Sequence, residues 1–368
     1  MENENNEEKK AHIYEIDFLR AITVFSVVII HTFASCAFLY SRSTFGTDAI
    51  ALFIHLLHYN REIFVFVTGL VLTYVYYHRA FSPFKFWSKR LLFIFIPYIL
   101  WSLIYVWINN SLNNFWMDIL TGNASYQLYY ISLALQYYLL FPFFLWFIKK
   151  ISHHPIAVIL ISFILQVAMI YFDFAYLQKG PLTQTSFVKN VIIPYQDRLF
   201  ITYQFFFIAG SIVAIYMNKI YAFVKNYGRL LSIIFAITFL CYSIYFLHQL
   251  HTESMTYALS VLQPSVIFYS IAVIPFFSWL SILWVGKKKL FRLIKGISDT
   301  SFGIFFVHVM ILTYFIQHVI PIMPAEVPTL EKIIFTSLMT FILSLIICLI
   351  LLRIPFLRWT IGRGGQKR

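Results

Sequence analysis

The chain has 368 residues, of which 60% are hydrophobic and only 12% charged. A soluble domain carries about 25% charged residues, so a water-soluble enzyme held by one anchor is excluded. The formal net charge of +13 sits in short clusters between apolar runs, the pattern of loops beside a membrane, and no nucleic-acid partner is expected.

The first residues, MENENNEEKKAH, are acidic and then basic, with no short apolar core and cleavage site after them. No cleavable leader is expected, and the first apolar run reads as a span that stays. Ten runs approach the roughly 20 apolar residues that cross hydrocarbon. They fall near 16–38, 61–78, 87–109, 127–147, 156–176, 199–217, 230–248, 262–284, 301–318 and 333–354. Backbone polar groups at that depth must pair within the segment, and no ten-residue alternation suggests a barrel. The expected fold is therefore all-α, a polytopic membrane helix bundle of about ten transmembrane helices.

Charge sets the expected orientation. With the N-terminus inside, only Arg42, Arg61, Lys179, Lys189, Arg198 and Lys332 fall outside, leaving 22 of 28 basic residues inside. That excess, alternating loop by loop, predicts cytoplasmic N- and C-termini. It gives a short cytoplasmic tail at 1–15, a transmembrane domain at 16–354 and a basic cytoplasmic tail at 355–368, with multi-pass location in the cell (plasma) membrane and membrane lipids as surroundings. The stretch 48–60 reads as an amphipathic approach to the second span, and Pro97 predicts a kink in the third.

The first span carries the most informative pair. Arg20 and His31 are eleven residues apart, so on a helix they lie about 20° apart on one face and about 16 Å apart along the axis. An ionisable group inside a bilayer is costly and marks a functional site by default. The blander alternatives are a snorkelling Arg20 and a structural, hydrogen-bonded His31. Asp17, three residues before Arg20, is placed to pair with it. Glu62 opens the second span, where it either orients a substrate or a histidine, or pairs with Arg61 at the interface. His308, in the ninth span, is either functional or a polar tie between helices. Ser298 and Ser301 read as helix N-caps.

Other signals point to no chemistry. Cys36, Cys241 and Cys348 have no CxxC spacing and read as packing residues. His55-x-x-His58 and His248-x-x-His251 are helical neighbours that no cysteine or carboxylate completes, so no metal is expected. There is no Walker motif, no GxGxxG before a helix and no GxSxG elbow.

The run Asp17-Phe-Leu-Arg20, followed ten residues on by His31, resembles the opening signature of the acyltransferase family 3 membrane proteins. Further stretches agree in order: Glu62-IFVFVT-Gly69, Lys89-Arg90-LLFIFI-Pro97-Tyr98, Tyr126-QLYYISLALQYYLLF-Pro142 and Ser298-DTSF-Gly303-IFFV-His308. Thr68 stands where the family commonly has Ser, Gln127-Leu128-Tyr129 where it has His-Leu-Trp, and Phe93 where many members carry a second arginine. The Arg90-to-Pro97 spacing is also similar to a branch of intercellular-adhesion polysaccharide export or modification proteins.

The resemblance implies an integral membrane O-acyltransferase. Acyl-CoA, acetyl-CoA in the first instance, would be the donor substrate, with no bound cofactor. A hydroxyl of a cell-envelope glycan or lipid-linked precursor would be the acceptor, and other envelope-biosynthesis proteins are possible partners. A hydroxyl needs a base near neutrality, so His31 is the candidate base or, alternatively, the acyl carrier. Arg20, Lys89 and Arg90 are candidates for the donor's phosphates. The alternative reading is a non-enzymatic exporter or flippase of an exopolysaccharide such as poly-N-acetylglucosamine; a third is a decayed member acting as a scaffold.

Overall fold

A computed structural model describes residues 13–39, 44–285 and 288–363. Lys9, Lys10, Arg42, Lys287, Lys367 and Arg368 of the charge count, and the distal ends of both expected tails, lie outside the described residues.

All regular structure among the described residues is helical. In chain order the α-helices are α1 Tyr14–Ser35, α2 Thr44–Leu56, α3 Asn60–Tyr76, α4 Pro83–Arg90, α5 Ile96–Ile108, α6 Phe115–Thr121, α7 Tyr129–Ile151 and α8 Pro155–Phe172. There follow α9 Gln204–Ile215, α10 Met217–Asn226, α11 Gly228–Thr252, α12 Met255–Ala258, α13 Pro264–Val285, α14 Lys288–Tyr314 and α15 Thr329–Arg353. Nine helical stretches among the described residues are long and apolar enough to cross a membrane, and a pair bent by 49°, Val188–Arg198 with Phe200–Ile215, makes up to ten. The expected bundle of about ten spans is observed.

Breaks in the spans have local causes. Pro83, Pro155 and Pro264 open α4, α8 and α13, where the missing N–H costs nothing. Beside Pro97 the third span passes through a π-helical turn, Leu91–Phe95, so the expected irregularity lies just before the proline. The bend ahead of α9 leaves backbone groups unpaired within the span, and glutamines cover them. The Gln136 amide donates to the Arg198 carbonyl at 2.7 Å and its oxygen accepts from the Phe200 N–H at 3.1 Å. Gln166 donates to the Thr202 carbonyl and accepts from the Phe205 N–H at 3.2 Å. Broken helix at such depth persists only with partners of this kind.

α1 runs through the middle, packed against α3, α13, α14 and α15, whereas α8 and α11 are mostly exposed along their lengths. α3 and α9 cross closely enough that glycine is required on both. A Cβ on Gly69 would lie 2.2 Å from the Phe207 carbonyl oxygen, and one on Gly210 2.1 Å from that of Phe66. Thr73 donates to Ser211 at 2.9 Å beside this crossing, and small residues with hydroxyl ties are how helices approach in lipid.

α14 runs parallel to α1: Ser298 meets Asp17 near one end and His308 meets His31 near the other. α14 starts at Lys288, so Ser298 and Ser301 are not N-caps. They lie inside the helix, where Ser298 bonds Asp17 and Ser301 bonds the Ser298 carbonyl. The apolar run near 301–318 hid the start, because more than three turns of polar, partly basic helix precede it. Beyond α15 the chain folds back as a 3₁₀ turn, Arg358–Ile361, against α5, α14 and the π turn. The end of the bundle holding Tyr14, Arg90 and Arg353 is called the N-terminal face below.

Candidate active site

The shared face of α1 leads to two clusters. Toward its C-terminal end His31 borders a cavity of about 240 Å³ lined by His58, Asn60, Arg61, Gln127, Tyr129 and Tyr130 among others. The His31 ring stacks on His308 with centroids 5.4 Å apart and lies 4.9 Å from the ring of Tyr126. His308 is fully buried, and its Nδ1 lies 3.0 Å from the Ile304 carbonyl. A carbonyl only accepts, so Nδ1 carries the proton and neutral His308 has a bare Nε2. That Nε2 is buried without a partner.

Polar atoms without partners gather here. Asn60 leaves both amide atoms unpaired, Gln127 its Nε2 and His58 its Nδ1. All three residues are at least nine-tenths buried and line the cavity. Each such orphan costs about 1–3 kcal/mol when left dry, so the cavity is built to hold something that hydrogen-bonds. Gln127 is fixed by Ser125, which donates to its Oε1 at 2.6 Å.

Arg61 and Glu62 are not at an interface. Both are buried, 8% and 3% exposed, because α2 continues almost directly into α3 and carries their turn into the bundle. Arg61 lies over the Tyr203 ring at 5.9 Å, with Tyr129, Glu62 and Asp197 as electrostatic neighbours. Glu62 is not among the residues lining the His31 cavity; it lines a separate void of about 10 Å³ beside Gln166 and Thr202, room for one water at most. It reaches the His31 cavity through Arg61.

The second cluster lies at the N-terminal face. Arg20 has Tyr138, Asp17, Arg363 and Asp299 as electrostatic neighbours. Asp17, 3% exposed, accepts from Ser298 Oγ at 2.8 Å. Arg90 stacks on the same Tyr138 ring at 4.9 Å and on Phe86 at 5.2 Å. Lys89 is exposed on the outer side of α4. The structure thus brings Arg20 and Arg90 together around one tyrosine and leaves Lys89 at the rim. Tyr130 links the clusters: it lines the cavity, and both Tyr138 and Arg20 act on it electrostatically.

The remaining sequence candidates stay apart from this chemistry. His55 is sandwiched between Tyr242 and Phe246 at 4.4 and 4.1 Å. Among the described residues no three metal-binding side chains converge. Cys36, just past α1, is buried with a free thiol. Asn60, Gln127 and Tyr129 were not singled out as site residues, although the departure at Gln127-Leu128-Tyr129 marked two of them. In the sequence Arg358 and Arg363 read only as part of the basic tail.

A family model for an acyltransferase domain, that of acyltransferase family 3, matches residues 13–353, nearly the whole chain. The chain belongs to that family and is a multi-pass membrane acyltransferase. No curated protein and no solved structure matches it.

Proposed function

We propose that this chain is an O-acyltransferase of the cell membrane, with its N-terminal face in the cytoplasm. It takes an acyl group, acetyl in the simplest case, from acyl-CoA and passes it to a hydroxyl of a cell-envelope glycan or lipid-linked precursor. The supporting observation is that one face of α1 joins a cationic cluster, Arg20 and Arg90 around Tyr138, to His31, which stacks on His308 and borders a cavity of unsatisfied polar groups. Anionic phosphates suit the first end, where arginine offers paired donors. The second end suits a hydroxyl, which must lose its proton to attack a thioester.

In this reading Arg20 and Arg90 hold the donor's phosphates, with Lys89 adding charge at the rim, and Asp17, fixed by Ser298, orients Arg20. His31 takes the acceptor proton or carries the acyl group between donor and acceptor. His308, stacked on His31, positions that ring. Glu62 holds Arg61 in place at the cavity wall. The test is transfer of radiolabelled acetyl from acetyl-CoA to the endogenous glycan fraction, in membranes carrying wild type or His31→Ala at matched expression. Label incorporated by wild type alone supports the reading. Silence of wild type with acetyl-CoA and succinyl-CoA alike overturns it and favours polysaccharide export.

A further inference from the structure

The matched family domain ends at residue 353, yet the chain beyond it returns to the cationic cluster. Trp101 Nε1 donates to the Thr360 carbonyl at 2.9 Å, tying the segment to α5. Gly362 is wedged in place: a Cβ there would lie 2.6 Å from the Phe302 ring and 2.9 Å from the carbonyl oxygen of Phe93, in the π turn that follows Arg90. A Cβ on Gly303 would likewise lie 3.0 Å from Ile361. Thus two glycines, one on α14 and one in the segment, hold this turn against the helices that carry Arg90 and Ser298.

The turn delivers two more arginines. Arg363 donates from Nε and Nη2 to the Asp299 carbonyl at 3.0 and 2.9 Å, and from Nη2 to Asp299 Oδ1 at 2.5 Å. Its charge reaches Arg20, and 39% of its side chain is exposed. Arg90 and Arg358 each keep a buried Nε–H with no acceptor. Around this point stand Arg20, Arg90, Arg363 and Lys295 against the carboxylates Asp17 and Asp299, and Arg358 opens the turn whose Arg363 N–H bonds back to the Arg358 carbonyl at 3.0 Å. Cations that repel one another, with donors to spare, call for a polyanion.

We propose that the segment 354–363 completes the donor site, with Arg358 and Arg363 binding the ribose 3′-phosphate of acyl-CoA. The inference rests on the acyl-CoA reading above. The thioester must point toward His31, so the diphosphate, nearer the thioester, falls to Arg20 and Arg90. The 3′-phosphate, at the far end of the molecule, falls to the cations that the returning segment adds beside them. Arg363 then exchanges its carboxylate partner for phosphate while its bonds to the Asp299 carbonyl keep the segment docked.

The experiment measures binding of labelled coenzyme A and of dephospho-coenzyme A to the purified full chain in nanodiscs. Wild type should prefer coenzyme A. Arg363→Gln and Arg358→Gln together should weaken coenzyme A by about tenfold or more, the size of a lost charge-assisted contact, and leave dephospho-coenzyme A unchanged, which also reports that the protein is folded. Asp299→Asn separates ligand binding from mere clamping. If Arg363 meets phosphate, removing its competing carboxylate keeps or tightens coenzyme A binding; if Arg363 only anchors the segment, Asp299→Asn weakens binding as the arginine variants do, and the proposal is wrong. Equal affinity of wild type for the two ligands also overturns it. Failure of wild type to bind either one instead removes the acyl-CoA reading on which it rests.

Discussion

His31 and His308, from the first and the fourteenth helix, lie ring on ring with centroids 5.4 Å apart. The contact exists because α1 and α14 run parallel, and Ser298 on Asp17 fixes their register at the other end. His31→Ala is expected to lower acyl transfer at least about 100-fold, the low end for a general base, while insertion and yield are retained. His308→Ala should lower kcat about tenfold or more and leave KM for acyl-CoA unchanged, since the cationic cluster is about three helical turns away. Steady-state assay of both variants checks this. A His308→Ala protein with normal kcat and poor folded yield would make His308 only a tie between helices.

Much of this arrangement was legible in the sequence, for reasons that differ by element. The spans follow from uninterrupted apolar length, and the Arg20–His31 face follows from helical period alone. The partnership of His31 with His308 did not follow, because no local pattern records which two helices lie side by side. The buried state of Arg61 and Glu62 was missed because two charges at a span's start resemble an interface; the continuity of α2 into α3 places them inside. The start of α14 was missed because a basic amphipathic stretch precedes its apolar run. Arg363 read as a tail residue, since only the packed Gly362 and Gly303 turn the chain back.

The Gly69 of the second-span motif has a packing reason. Its absent Cβ leaves room for the Phe207 carbonyl, as that of Gly210 does for Phe66. Gly69→Val should therefore destabilise the protein by about 1–3 kcal/mol or more through overpacking, read as a fall in the thermal midpoint of the detergent-solubilised chain. Gly296→Ala is the control, because nothing lies within 4 Å of its added Cβ. Within a helix that change should be stabilising by about 0.5–1 kcal/mol. Equal effects of the two would contradict the close crossing of α3 and α9.

Ser298 and Asp17 give a graded test of the donor end. The serine hydroxyl donates to the carboxylate at 2.8 Å in a buried setting. Asp17→Asn keeps an acceptor for Ser298 but removes the charge that faces Arg20, and Asp17→Ala removes both. KM for acetyl-CoA should rise in the order Ser298→Ala, Asp17→Asn, Asp17→Ala, by about tenfold or more at the last step, in line with the strength of hydrogen bonds to charged groups. An Asp17→Asn enzyme with unaltered donor KM would remove Asp17 from the orientation of Arg20.

Asn60 and Gln127 should act on the other substrate. Their unpaired amide atoms line the cavity beside His31, and a polyol offers hydroxyls that donate and accept in turn. The cavity, about 240 Å³, is near the lower limit of ligand pockets, about 300 Å³, and suits one sugar unit better than a long chain. Asn60→Ala and Gln127→Ala should raise the concentration of membrane glycan acceptor needed for half-maximal label transfer about three- to tenfold, the size of a lost neutral hydrogen bond. KM for acetyl-CoA should stay constant, because neither residue approaches Arg20 or Arg90. Titration of the glycan fraction at saturating acetyl-CoA reads the first effect, and titration of acetyl-CoA at saturating glycan the second. If both variants change only the donor KM, the acceptor does not occupy this cavity, and the unpaired amides are satisfied by water.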